Sequence, residues 1–131
     1  MAPAPQRLKR RAEFLRVAQR GRKAPAPGLV LQALERRDDA PACLGFTVTK
    51  KVGNAVVRNR TRRRLKEAAR LLFASEPLAG YDLVLIGRDA TRRRPFPTLI
   101  EDLRRALVRT GATAPAQEPP VQEPVRGEKR S

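Results

Sequence analysis

The segment from residue 50 to residue 70, KKVGNAVVRNRTRRRLKEAAR, constrains the fold most strongly because it carries nine basic residues on a helical period. Its apolar side chains recur at spacings of four, three and four residues, which places them on one face of an amphipathic helix: Thr61, Leu65, Ala68 and Leu72. A second face is basic at every fourth residue: Arg58, Arg62, Lys66 and Arg70. Like charges at this spacing repel each other by roughly a few tenths of a kcal/mol per pair. We therefore expect an anionic partner that presents a run of phosphates.

The composition of the whole chain also predicts a polyanionic partner. The 131 residues carry 29 Lys and Arg against 13 Asp and Glu, a net charge of +16. A net charge of about 2 to 8 is enough to keep a small domain soluble. The chain has no histidine and one cysteine, Cys43. An internal disulfide, a zinc cluster built from the usual ligands and an imidazole-based catalytic site are therefore excluded.

The sequence gives no sign of a membrane or secretory segment. Its apolar runs are too short for a signal peptide or a membrane span. The Arg-rich amino terminus has the composition of an organelle transit peptide, but Pro3 and Pro5 disfavour the amphipathic helix that such a peptide needs. A single cysteine agrees with a reducing compartment. We expect a cytoplasmic protein with no membrane partner.

Hydrophobic periodicity predicts the order helix, two strands, helix, strand, helix. The first helix covers residues 8–20 and ends at a left-handed cap on Gly21. Two strands, 29–35 and 43–49, are expected to pair antiparallel, and the prolines and glycines of residues 21–28 predict a loop before them. The basic helix then runs to about Ser75.

The second half of the chain contributes one buried strand and a last helix. Residues 82–87, DLVLIG, form a nearly pure apolar run, which is typical of a strand covered on both faces. Residues 88–97 are predicted to be a charged loop. Thr98 and Glu101 have the spacing of a capping box at the start of the last helix, and Gly111 marks its end.

These elements predict a single α/β domain over residues 7–110 with unstructured ends. Residues 1–6 are expected to be a flexible lead-in. Residues 111–131 are rich in Pro, Ala, Gln and Glu and contain almost no large apolar side chains. Such a segment buries too little surface to offset the entropy lost on ordering it, so we expect a disordered tail.

The stretch LGFTVTKKVGNAVVRNRTRRRLKEAAR, residues 44–70, resembles the protein component of bacterial ribonuclease P. The match rests on the Arg58-Asn59-Arg60 triplet, with Lys50, Lys51, Gly53 and Asn54 before it and Arg62, Arg63 and Lys66 after it. Weaker matches are Leu8, Glu13, Phe14, Val17 and Gly21 in and after the first helix, and Tyr81-Asp82 in the later strand. The resemblance covers about residues 7 to 108.

The resemblance implies an α/β (α+β) two-layer sandwich, with a small mixed four-stranded sheet and three helices. It is the fold shared by ribonuclease P proteins and the second domain of ribosomal protein S5. The βαβ crossover through the basic helix would be left-handed, against a general right-handed preference of about 98%. The resemblance also implies that the endoribonuclease is a large RNA, which removes the 5′ leader of precursor tRNA with Mg²⁺ held mainly by that RNA. The protein would be its accessory subunit, with no catalytic residues and no stable protein partner.

The family's binding surfaces map onto this sequence as two sets of residues. The set expected against the catalytic RNA comprises Lys50, Lys51, Asn54, Arg58, Asn59, Arg60, Arg62, Arg63, Lys66 and Arg70. The set expected in the cleft for the single-stranded leader comprises Lys9, Phe14, Arg16 and Val17. Ala18 and Gln32 stand where many relatives have cleft aromatics, which predicts weaker stacking of the leader. Arg64 takes a position that is often apolar in relatives, and we expect its stem to be packed and its head to lie in solvent.

Other interpretations of these features remain open at the level of sequence. A charge run is usually a solvated helix face, although no acidic residue lies between Lys50 and Lys66. Phe14 could be a core residue, and Arg92, Arg93 and Arg94 could be peripheral RNA contacts or simply solubilise a loop. The alternative functions are a ribosomal or RNA-chaperone protein that binds structured RNA, and a DNA-binding protein. The second is disfavoured because the sequence has no helix-turn-helix spacing and no dimerisation heptads.

Overall fold

Five strands form one mixed sheet in the computed structural model of the chain, which describes residues 4–113. The strands are β1 (Gln6–Arg7), β2 (Arg22–Pro25), β3 (Leu29–Glu35), β4 (Cys43–Val48) and β5 (Tyr81–Gly87). The helices are α1 (Arg11–Arg20), α2 (Ala55–Ser75), α3 (Asp89–Arg93) and α4 (Phe96–Thr110), and a 3₁₀ helix covers Lys50–Val52. Across the sheet the order is β1-β4-β5-β3-β2.

The apolar strand β5 lies at the centre of the sheet. It pairs antiparallel with β3, where Leu85 faces Leu31, and parallel with β4, where Leu85 faces Phe46. The predicted burial of this strand on both faces is confirmed, because Leu83, Val84 and Leu85 are almost inaccessible to solvent. The predicted pairing of β3 with β4 is wrong. Strand β5 is the most apolar strand and takes the central position of the sheet, where it is covered on both faces. It therefore lies between β3 and β4.

Helices cover the sheet unequally on its two faces. Alternate strand residues, among them Leu31, Leu83 and Leu85, join α2 and α4 in the main core. The other face carries a smaller cluster in which Val17 of α1 packs on Val84 of β5. Part of this second face is left outside α1 and is only half-buried, as at Gln32 and Ile86.

Helix α2 connects two parallel neighbours, β4 and β5, so the predicted βαβ unit is confirmed. Its predicted apolar stripe is also confirmed, since Thr61, Leu65 and Ala68 are fully buried. The helix can approach the end of β5 because Gly87 has no side chain. A Cβ atom at Gly87 would lie 2.9 Å from the methyl carbon of Thr61. The left hand of the crossover stays a prediction.

The amino-terminal region contains more sheet than the sequence predicts. The segment expected to be a loop forms β2, which pairs antiparallel with β3 at the edge of the sheet, where Pro25 is tolerated. Gln6 and Arg7 form β1 beside β4, so the sheet has five strands rather than four. Helix α1 begins at Arg11 rather than residue 8, and it does not end in a left-handed residue, because Gly21 has φ −83°.

The segment before the last helix also differs from the expected charged loop. It contains a fourth helix, α3, whose first turn is held by Thr91: the Thr91 hydroxyl accepts from Arg88 N at 2.8 Å and donates to Gly28 O at 2.6 Å. Helix α4 begins at Phe96, with Pro97 in its first turn, so the predicted Thr98 capping box is not formed. Its predicted stop at Gly111, with φ 85°, is confirmed. The tail beyond residue 113 lies outside the described residues.

Arg36 joins the end of β3 to the connection that leads to β4. Its guanidinium donates to the Asp82 carboxylate at 2.6 Å and to the carbonyl oxygens of Tyr81, Ala40 and Pro41 at 2.9, 3.0 and 2.9 Å. It also donates to Asp38, and this hydrogen bond lowers the pKa of the Asp38 carboxyl. A single side chain therefore satisfies several polar groups at this end of the sheet.

Replacing Arg36 with alanine should destabilise the protein strongly. The buried Asp82 carboxylate would lose its ion pair, a change that costs about 3 to 5 kcal/mol when one partner of a buried pair is removed. Urea unfolding followed by circular dichroism measures the loss. The neighbouring exposed residue provides the control, since Arg37→Ala should stay within about 0.5 kcal/mol of the parent. Equal effects of the two substitutions would contradict the role given to Arg36.

Candidate nucleic-acid interface

The loop before α2 positions the first basic residues of the interface. Val52 is buried and anchors the 3₁₀ helix, which leaves Lys50 and Lys51 exposed. Gly53 follows with φ 153°, a conformation that disfavours a side chain. The two lysines are therefore presented on a defined turn rather than on a free loop.

Two of the predicted RNA contacts have structural partners within the protein. Asn54 is the N-cap of α2, and its side-chain oxygen accepts from Val57 N at 3.0 Å. Arg58 is half-buried and donates to Gly53 O at 2.8 Å, which ties the helix to the preceding turn. Both side chains therefore shape the start of the interface, and only their remaining polar atoms are available to a ligand.

The exposed face of α2 gathers the cations of the basic segment. Asn59 accepts from Arg62 at 2.9 Å, so the amide orients that guanidinium. Asn59, Arg62, Arg63 and Lys66 line a shallow pocket of about 190 Å³. None of the ion pairs within residues 4–113 involves Arg60, Arg63 or Lys66. The pocket is a concave cationic site in which a phosphate group would find several donors.

Arg7 adds a cation to this face that the sequence did not predict. Its guanidinium lies 5.9 Å from the centre of the Phe46 ring. It is also one of three guanidinium groups that act on Lys66: burial lowers the pKa of Lys66, and repulsion from Arg7, Arg62 and Arg63 lowers it further. The sequence did not predict the position of Arg7 because β1 has only two residues, which is too short for a strand pattern to be recognised.

Arg70 lies at the end of the basic face and is already neutralised. Its guanidinium pairs with the Glu67 carboxylate at 2.5 Å, one helical turn away. The hydrogen bond from Arg70 lowers the pKa of Glu67. Arg70 therefore offers less free charge to an anion than Arg60, Arg63 or Lys66.

The second predicted surface lies where α1 meets the partly covered face of the sheet. The Phe14 ring rests on Gly45 of β4 so closely that a Cβ atom there would stand 2.4 Å from a ring carbon. The ring is half-buried, and Lys9 and Arg16 are exposed nearby in the chain. Glu13 holds the start of α1 by accepting from the backbone amides of Arg10 and Lys9, and these bonds lower its pKa.

The other residues considered for the leader cleft differ in their exposure to solvent. The Val17 side chain is fully buried beneath α1 and has no surface to offer a ligand, which corrects its assignment to the cleft. Its helical position faces the sheet, and its role is to hold α1 in place. Ala18 is exposed and Gln32 is half-buried, and neither side chain is aromatic, so neither adds a stacking surface to Phe14.

The arginines at 92–94 and Arg64 have partners within the protein. Arg94 pairs with the buried Asp102 carboxylate at 2.9 Å. The head of Arg64 does not lie in solvent: one of its terminal nitrogens donates to Arg94 O, its Nε is buried, and the guanidinium lies 5.7 Å from the centre of the Phe96 ring. Arg92 and Arg93 remain exposed and share the Asp89 carboxylate.

Residues 4–113 contain no group of three or more His, Cys, Asp or Glu side chains placed to hold a metal ion. No helix in the same region is long and apolar enough to cross a membrane.

Comparisons with known proteins agree with this arrangement. A family model described as Ribonuclease P matches residues 2–111. The chain belongs to the ribonuclease P protein family. The ribonuclease P protein component of Gluconacetobacter diazotrophicus is 68% identical over 111 residues, which cover 85% of this chain and 96% of that protein. That of Paramagnetospirillum magneticum is 51% identical over 122 residues, covering 86% and 87%.

Solved structures of ribonuclease P proteins share the fold. The protein from Thermotoga maritima aligns with a TM-score of 0.67 and 29% identity, over 79% of this chain and 96% of that chain. A Staphylococcus aureus ribonuclease P protein mutant with defective mRNA degradation activity aligns with a TM-score of 0.68 and 25% identity, over 82% and 89%. The sequence-based assignment to this family is confirmed, and with it a ribonucleoprotein role in tRNA processing and partnership with the ribonuclease P RNA.

Lys66 of this ribonuclease P protein should show opposite effects on stability and RNA binding. Its pKa is lower when folded than its ordinary value of 10.5, so the unfolded chain binds the proton more tightly and stability rises with pH up to that value. Lys66→Met should therefore stabilise the protein at pH 7 by roughly a few tenths of a kcal/mol, because it removes like-charge repulsion. The same substitution should weaken RNA binding.

Denaturant unfolding at pH 7 and above pH 10, roughly the ordinary lysine pKa, tests the stability effect, which should shrink at the higher pH as the parent Lys66 loses its proton. Filter binding to the ribonuclease P RNA tests the affinity. Arg20→Met on α1 provides a control with the same loss of charge outside the α2 face. Loss of stability in Lys66→Met at pH 7 would contradict the crowding of cations around Lys66.

Proposed function

We propose that this ribonuclease P protein is an accessory subunit that docks on the catalytic RNA through the exposed face of α2. The observation that carries the proposal is the concentration of Arg60, Arg63 and Lys66, without ion-pair partners among the described residues, on the family's signature helix. Burial lowers the pKa of Lys66, and repulsion from Arg7, Arg62 and Arg63 lowers it further, which supports a crowding of positive charge on this face. Phosphates of the RNA would reduce that repulsion and release counterions on binding.

In this proposal the RNA holds the Mg²⁺ that hydrolysis of the phosphodiester requires, and the protein contributes no catalytic residue. Phosphate oxygens are ligands that Mg²⁺ prefers. The cations of α2 and the exposed Lys50 and Lys51 would neutralise neighbouring phosphates, which lowers the repulsion within the folded RNA. The RNA would then reach its active arrangement at a lower Mg²⁺ concentration.

A second surface of the protein would bind the 5′ leader of precursor tRNA. The supporting geometry is the Phe14 ring seated on Gly45, with α1 on one side and the uncovered part of the sheet on the other. An unpaired base can stack on such a ring, and Lys9 and Arg16 provide cations for its phosphates. The two surfaces lie on different elements, α2 and α1, so the protein can hold both RNAs at once.

Reconstitution with the ribonuclease P RNA tests the accessory role. At low Mg²⁺ and physiological salt, added protein should raise the rate of leader removal from precursor tRNA, because its cations replace part of the Mg²⁺ requirement. If α2 and its neighbours neutralise about five to eight phosphates, the logarithm of affinity should fall with log salt at a slope of about −4 to −7. No rate increase would overturn the accessory role, and a slope near zero would overturn the electrostatic account.

Substitutions at Phe14 should affect the leader and not the catalytic RNA. Phe14→Leu keeps an apolar side chain on Gly45 but removes the stacking surface, which is worth about 1 to 3 kcal/mol per base. Binding of precursor tRNA by the holoenzyme should weaken by that amount, while mature tRNA and the RNA alone should bind as before. Arg63→Ala, a loss on the other surface, should instead weaken binding of the RNA. Identical profiles for the two variants would refute the separate surfaces.

A further inference from the structure

The side of α2 that faces α3 and the start of α4 contains a groove that adjoins the outer face of α2 and shares Arg60 and Arg63 with it. Two adjoining pockets form it. One, of about 260 Å³, is lined by Val57, Arg60, Thr61, Arg64, Arg92 and Arg93. The other, of about 530 Å³, is lined by Arg60, Arg63, Arg64, Glu67 and Phe96. We call the two together the α2–α3 groove.

The floor of the α2–α3 groove is an aromatic ring with a guanidinium fixed beside it. Phe96 is half-buried and keeps part of its ring exposed, and Arg64 lies 5.7 Å from the ring centre. Arg64 is held there by its hydrogen bond to Arg94 O. Within residues 4–113, Arg64 takes part in none of the ion pairs, and its buried Nε has no hydrogen-bond partner. A positive charge is thus kept in place at the floor without a counter-ion.

The rim of the groove has more positive than negative charge. Arg60 and Arg63 are exposed and are absent from the ion pairs within residues 4–113. Arg92 and Arg93 share one carboxylate, Asp89, at 2.8 and 3.3 Å. Glu67, the acidic residue of the lining, is already engaged by Arg70 at 2.5 Å. An anion entering the groove would meet several guanidinium groups and no unpaired carboxylate of its lining.

Helix α3, which forms one wall of the groove and has five residues, is held by hydrogen bonds at two points. Thr91 fixes its inner side through the hydrogen bond to Gly28 O at 2.6 Å. Arg94 fixes its end through two hydrogen bonds to the buried Asp102, at 2.9 and 3.0 Å. The groove therefore exists before a ligand arrives, which lowers the entropic cost of binding.

We propose that the α2–α3 groove binds an unpaired nucleotide of the catalytic RNA, with the base against Phe96 and Arg64 and the phosphate on Arg60 and Arg93. Unpaired bases stack on aromatic rings and on guanidinium planes, and arginine pairs with phosphate through parallel hydrogen bonds. The catalytic RNA is the occupant because the groove shares Arg60 with the face of α2 that docks on it. The inference deepens the proposed function and rests on it.

Binding of the full-length protein to the ribonuclease P RNA over a range of salt concentrations tests the inference. Phe96→Leu should reduce the affinity by about 5- to 150-fold, the range of one base–aromatic stack, without changing the salt slope. Arg93→Gln should reduce the affinity and make the slope shallower by about 0.7 to 0.9, because one phosphate contact is lost. Phe96→Tyr, which keeps an aromatic ring, should bind like the parent.

Controls separate the groove from general effects of charge and folding. Arg105→Gln removes an equally exposed arginine of α4 outside the groove and should leave the affinity within about two-fold of the parent, since exposed charges away from the RNA are screened. Thermal unfolding of each variant verifies the fold. Because Arg93 is exposed, Arg93→Gln reports on the groove even if Phe96→Leu is destabilised.

Parent-like affinity of Arg93→Gln and of folded Phe96→Leu would overturn the inference. A loss that appears only when precursor tRNA is added would also overturn it, because the occupant would then belong to the substrate. If Arg63→Ala and Lys66→Met bind the RNA like the parent as well, the docking of α2 itself fails. Weakened binding by these two α2 variants with unaffected groove variants would leave the proposed function intact and remove only the nucleotide site.

Discussion

The packing of α2 against β4, β5 and α4 is the contact on which the rest of this structure depends. Leu65, Ala68 and Leu72 are buried in the main core, and Gly87 permits the close approach of Thr61. Burying a leucine side chain is worth about 1.5 to 3 kcal/mol. That stripe fixes the rotation of α2, so the basic residues are forced outward together. The cost of their mutual repulsion is met by the same core.

Three cations of α2 have roles within the protein. Arg58 holds the turn before the helix, Arg64 is held beside Phe96, and Arg70 pairs with Glu67. The cations left for an RNA partner are those on the outer face, above all Arg63 and Lys66. A count of the basic residues of α2 therefore overstates the positive charge available for binding RNA. The cations without a partner in the protein lie next to each other rather than along the whole helix.

Much of the fold could be predicted from local sequence pattern. The bounds of α2 and β3 and the burial of β5 follow from periodicity and from apolar runs, which are properties of neighbouring residues. The α1–β2 region could not be predicted as well. Strand β2 is stabilised by its pairing with β3, and its Pro25 is a residue typical of loops. Strand β1 could not be predicted either, because it is also stabilised by pairing with a distant strand. That pairing places Arg7 close enough to Lys66 to lower its pKa.

The sequence alone predicted a polyanionic partner and an amphipathic basic helix, and its motif identified the family. These conclusions need only charge, spacing and residue identity. Only the tertiary structure decided which cations are free, that Val17 lies in the core, and that Phe96, Arg64 and the arginines of α3 come together in one groove. Those outcomes depend on contacts between residues distant in the chain, such as Arg64 with Arg94 and Thr91 with Gly28, which no local pattern encodes.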